Sequence, residues 1–204
     1  MKYPAFYDQV ETIVVRDPLA DFLGAFEDGI IEYSYLDVTR LAGHSCPTVA
    51  GAYLMVARGI KALFENKLPV RGEIEVAMQQ NQHEGVCGVI ANVFSYVTGA
   101  TESSGFHGLA GRFDRRQLLS FGHQIPAQVQ FTCKSNGRSV LVSYSPGCVP
   151  ADPDMSPLFS KAVSGQADAG EALRFRQLWQ SRVESILCDY ANDPRLLMVE
   201  PVQD

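Results

Sequence analysis

The chain has no apolar run long enough to cross a membrane. Its hydrophobic stretches are broken by charge or glycine well short of the roughly 20 residues that a spanning helix needs. The opening residues, Met-Lys-Tyr-Pro-Ala-Phe-Tyr-Asp, lack a basic stretch followed by an apolar one, so no signal peptide is expected. Basic residues are few: 17 Lys plus Arg stand against 23 Asp plus Glu, a net charge of −6 with a pI near 5.2. Such a chain gains little from phosphate attraction, and neither a nucleic-acid nor a membrane partner is expected. No repeat and no low-complexity tract is present. Cysteine is sparse and odd in number, five in all, at 46, 87, 133, 148 and 188. That count, in a chain this long, points to reduced thiols in a cytoplasmic protein and not to a disulfide scaffold.

What is there suits one folded domain. Hydrophobic residues make up 46% of 204 positions and charged residues 20%, enough to fill a sizeable core. The expected fold is α+β: a single core with a mixed or antiparallel sheet flanked by helices, and a helical C-terminal extension. The core is expected over 1–150. The extension, 151–204, would pack on that core or on a dimer partner. Residues 4–27 read as helical with a break at Asp17-Pro18, and 30–40 read as a strand. Pro47 opens the clearest helix, where Val49, Tyr53, Val56, Ile60 and Leu63 recur at steps of three and four. A strand over 72–80 and a helix over 86–98 follow, the latter ending near Gly99. Short strands are expected over 106–113, 117–121, 127–134 and 139–144. Asn136-Gly137 supplies a hairpin signal between the last two. Four prolines across 145–157 mark a loop, 156–190 reads as helical with a weak point at Ser164-Gly165, and Leu196–Val199 reads as a closing strand.

The chemistry concentrates at Gly43-His44-Ser45-Cys46-Pro47. In extended backbone, residues two apart project to one side, which aligns His44 with Cys46. Pro47 in the first turn puts Cys46 at a helix start, where free N–H groups favour a thiolate, the form that binds metals or attacks electrophiles. A second group, His83-Glu84-Gly85-Val86-Cys87, follows the 72–80 strand. Imidazole and thiolate together suit a zinc-like divalent ion. His44, Cys46 and Cys87 would leave a fourth position open, with His83 as a fourth ligand, a neighbour that orients the ligands, or an exposed loop histidine. His107 and the small residues of 98–108 are further candidates for lining a cleft. Arg112, Arg115 and Arg116 could meet an anion or form a solvated face. Cys133 and Cys188 read as core, and Cys148 and His123 as loop residues.

Gly43-His44-Ser45-Cys46-Pro47 opening a helix with Gly51 and Tyr53, then Cys87, then Thr98-Gly99-Ala100-Thr101, resembles the formylmethanofuran dehydrogenase E-subunit family. The resemblance covers roughly 15–145. It implies an α+β core, a homodimer, and a metal-associated cleft, with His44, Cys46 and Cys87 carried over as ligands. The chain departs from the family pattern at Ala42, where a second histidine is frequent, at Ala100, and at Ile90 or Asn92, where an acidic residue is frequent; it also has no C-terminal pair of C-x-x-C motifs. Three functions stay open: a metal-dependent enzyme acting on a small molecule, a binding or carrier module for a metal or metallocofactor, and thiol redox chemistry between Cys46 and Cys87.

Overall fold

A computed structural model of the protein describes residues 2–65 and 67–202. The N-terminal stretch expected as helix contains instead a 3₁₀ turn, Ala5–Gln9, a strand β1 (Ile13–Arg16) and a five-residue helix α1 (Pro18–Phe22). The strand forms because it finds a partner: β1 pairs antiparallel with β2 (Ile30–Tyr33). The expected strand over 30–40 therefore stops at Tyr33. Ser34 and Asp37 then form a reciprocal capping box that starts helix α2 (Tyr35–Ala42). Gly43 ends α2 in the left-handed conformation that glycine adopts without strain. His44 and Cys46 accordingly lie between two helices and not between a strand and a helix.

Helix α3 (Pro47–Leu63) keeps its expected bounds, and eleven of its residues are buried. Strand β3 (Ile74–Met78) and helix α4 (Cys87–Thr98, ended by a left-handed Gly99) fall where periodicity placed them. Between 106 and 113 only an isolated bridge, Leu109 to Arg112, forms. Left-handed Gly108, Ala110, Gly111 and Phe113 turn that segment too often for a strand. Then come β4 (Leu119–Ser120), β5 (Val129–Cys133) and β6 (Ser139–Tyr144), the last two joined at Asn136-Gly137. The C-terminal segment gives α5 (Met155–Val163), α6 (Ala169–Glu184) and a π turn over Ser185–Asp189. It ends in strand β7 (Leu197–Pro201).

The architecture is α+β. A five-stranded sheet in the order β4-β3-β5-β6-β7 is antiparallel except for the β3–β4 pair. Val129, Phe131, Val140, Val142 and Tyr144 alternate onto one face and meet α3 and α4, which pack side by side there. Tyr35, Tyr53, Phe94 and Phe131 are nearly sealed from water; burial of each contributes about 1.5–3 kcal/mol. The registers fix the direction of the helices. Gly51, near the start of α3, lies against the Tyr144 ring, and Gly59 lies against Phe131 and Val142. Gly72, before β3, donates to Thr98 O at the end of α4. Both helices thus start at the end of the sheet where β3 and β6 finish. The 151–204 segment contributes Leu178, Val183, Ile186, Leu187, Leu196 and Leu197 to the buried interior, and β7 extends the sheet; its final residues Gln203 and Asp204 lie outside the described ones. No helix of the described residues is long and apolar enough to cross a membrane.

Candidate functional site

Cys46 is the N-cap residue of α3. Its Sγ accepts the Val49 amide at 3.4 Å, and its carbonyl accepts the Ala50 amide at 2.9 Å. His44 folds back toward it, with Nε2 3.4 Å from Cys46 Sγ and Nδ1 2.9 Å from Ala42 O. A carbonyl only accepts, so Nδ1 carries the proton in that contact and the Nε2 lone pair faces the sulfur. His44 is exposed and Cys46 half-buried.

The loop carrying the pair is held from three sides. Ser45 Oγ lies 2.9 Å from the Tyr35 hydroxyl. Ser45 O accepts Trp179 Nε1 at 2.9 Å and Gln180 Nε2 at 3.4 Å, both from α6. Beneath α3, the Tyr144 hydroxyl donates to Pro47 O at 2.8 Å. Burial pushes the Tyr35 and Tyr144 hydroxyls far above the ordinary phenol range. Both therefore stay protonated and act as fixed hydrogen-bonding groups. A Cβ at Gly51 would overlap the Tyr144 ring, so glycine there lets α3 settle on β6. A cleft of ≈ 320 Å³, walled among others by Tyr7, Ser45, Phe175 and Trp179, opens beside this loop.

Cys87 occupies the first turn of α4, at the same end of the sheet. Hydrogen bonds connect the two helix starts: Tyr144 OH to Pro47 O, Gln128 Nε2 to Tyr144 O, Gln79 N to Gln128 O, and Cys87 Sγ to Gln80 O at 3.8 Å. Cys87 is fully buried, and that burial, with the Glu84 carboxylate nearby, pushes its thiol up. His83 is exposed on the 79–86 loop. Of the residues expected as ligands, the structure brings His44 and Cys46 together; among the described residues no three His, Cys, Asp or Glu side chains converge to hold a metal.

The remaining candidates disperse. His107 and His123 are exposed, the latter with Nε2 2.8 Å from Ser120 Oγ. Cys133 is buried in β5 and Cys188 half-buried beside the core. Cys148 sits near Tyr144, with its thiol on Ser145 O at 3.5 Å. Arg116 is clamped to Asp114, and Arg115 is buried against Asp17 at 2.6 Å. The roles of Trp179 and Tyr144 and the ion pairs of Asp17 had no local signal in the sequence, because those partners lie many tens of residues away.

No family model and no curated protein matches the chain. Three solved chains resemble it in structure. One is described as a tungsten formylmethanofuran dehydrogenase E-subunit-like protein (FmdE-like) from Syntrophus aciditrophicus. It is 17% identical, over 84% of this chain and 73% of that one, with a TM-score of 0.42.

Proposed function

We propose that this protein binds a zinc-like divalent ion through His44 Nε2 and Cys46 Sγ and uses it on a small molecule entering beside Ser45. The observation that carries this reading is the facing pair of donor atoms, 3.4 Å apart. A tetrahedral ion with sulfur at about 2.3 Å and nitrogen at about 2.0–2.1 Å spans those atoms by roughly 3.5 Å. The Nδ1 contact to Ala42 O is the second hydrogen bond that metal-bound imidazoles use to fix tautomer and ring plane. Two ligands do not complete a site. The 79–86 loop supplies the rest in this reading: His83 is already exposed on it, and Cys87 follows at its end. A shift of that loop, with release of Cys87 Sγ from Gln80 O, brings the second sulfur within reach. The bound ion would supply Lewis acidity at an open position, and Tyr7, Phe175 and Trp179 would wall the adjacent substrate cleft. In this proposal the protein works as a cytoplasmic homodimer.

The same pair favours one other reading, a thiol nucleophile with His44 as its base, because a proton can occupy the place assigned to the ion. Metal content and cobalt substitution separate the two. Purified protein is expected to carry close to one equivalent of zinc. Its cobalt form should show a sulfur-to-metal charge-transfer band, lost in Cys46→Ser and in His44→Ala. Metal-free protein with no such band, and alkylation of Cys46 that slows in His44→Ala, would select the nucleophile instead.

A further inference from the structure

The opposite end of α4 holds a second polar centre. Asp17 bridges two arginines there: Oδ2 meets Arg71 Nη1 at 2.8 Å and Oδ1 meets Arg115 Nη2 at 2.6 Å. Arg71 also donates through Nε to Val97 O at 3.2 Å and through Nη2 to Tyr96 O at 3.2 Å, capping the end of α4. Each of its three guanidinium nitrogens is therefore engaged. That is not so of Arg115. Its residue is 5% exposed, and its buried Nε has no partner among the described residues. A buried unpaired donor costs about 1–3 kcal/mol and calls for an explanation.

Arg115 lines a cleft of ≈ 380 Å³ with Arg71, Arg112, Lys134, Glu73 and Asp114. Arg112 and Lys134 have no carboxylate within ion-pair distance among the described residues, whereas Asp114 is already held by Arg116. With Arg71 and Arg115 sharing Asp17, the unpaired Arg112 and Lys134 thus face one unengaged carboxylate, Glu73, on a chain whose net charge is −6. The wall is built at a cost. Phe113 in the wall takes a left-handed backbone angle that side chains disfavour, as do Ala110 and Gln117 nearby in the chain. Gly72 is needed because a Cβ there would overlap Arg115 Nη1.

We propose that this cleft is a binding site for a doubly charged phosphate group, presented by a small phosphorylated ligand, with Arg112 and Lys134 as its mobile contacts and Arg115 as its fixed one. Guanidinium forks and an ammonium are the side chains that match phosphate oxygens. The site is separate from the His44–Cys46 pair. It lies at the far end of α4, whose 12 residues span roughly 18 Å.

Titration of the full chain with inorganic phosphate, followed by calorimetry and by ³¹P line broadening, tests the proposal. Wild type is expected to bind in the millimolar range or tighter, and sodium chloride at equal ionic strength should not reproduce the effect. Arg112→Gln with Lys134→Gln, both exposed positions, should weaken binding at least roughly tenfold while circular dichroism stays unchanged. Glu73→Gln should tighten it. Binding equal in the double variant, or a wild-type response matched by chloride, overturns the proposal. Neither result bears on the metal content that tests the other site.

Discussion

The two ends of the α3–α4 layer treat their polar groups in opposite ways. At the starting end, Cys46 Sγ and His44 Nε2 face each other at hydrogen-bond distance near water, and Cys87 waits as a buried thiol. At the finishing end, the α4 carbonyls are covered by Arg71 and the one buried carboxylate is shared between two guanidiniums. One end leaves its donor pair free, and the other ties its carboxylate to two guanidiniums beside a cleft that keeps surplus cations. Helix polarity contributes to this division. Starts offer N–H groups and suit anionic sulfur; finishes offer carbonyls and suit cations.

The largest effect expected from breaking this contrast is at Asp17. Asp17→Asn keeps a cap for α1 but leaves Arg71 and Arg115 without counter-charge, and should cost about 3–5 kcal/mol in urea unfolding. Acid should act on the same group. Burial alone would raise the Asp17 carboxyl, but the Arg71 hydrogen bond and the Arg115 charge outweigh it and hold it below the usual range. A depressed folded value means its stabilisation is complete above the unfolded value of about 3.9 and fades as pH drops through the lower folded one. A variant with unchanged urea midpoint and acid limb would show that this end is not charge-locked.

Next in size is Gly51→Ala, which drives a methyl group into the Tyr144 ring and should cost about 1–3 kcal/mol by thermal unfolding. It should also loosen the Tyr144 contact to Pro47 and with it the seat of Cys46. The smallest effect is kinetic. At pH 8, with metal removed by a chelator, iodoacetamide should label Cys46 at least roughly tenfold faster than Cys87, read by peptide mass spectrometry. Equal rates would show that the 79–86 loop opens readily, and that the two sulfurs differ less than their burial implies.

Much of this layer was legible from local pattern. The α3 stripe, the Gly99 stop of α4 and the Asn136-Gly137 turn each depend on residues a few positions apart, and each forms as expected. The His44–Cys46 contact needed only a two-residue spacing. The errors have equally physical causes. β1 exists because β2 lies opposite it, a pairing that no window over 4–27 contains. The start of α2 did have a local signal, Ser34 with Asp37, which the alternation of 30–40 masked. The Asp17–Arg115 pair joins residues 98 apart. Arg115 therefore reads as one of three similar surface cations until the fold buries it.

The outer strand of the main sheet has a consequence for how the protein is made. β7 pairs with β6 across an intervening helical hairpin, placing Leu197 opposite Tyr144. A ribosome that has already released both cysteines has not yet delivered the strand that flanks the tyrosine under α3. The nascent chain must therefore leave β6 as the edge strand, the kind of surface that invites pairing with a neighbour, until residues 197–201 emerge and cover it.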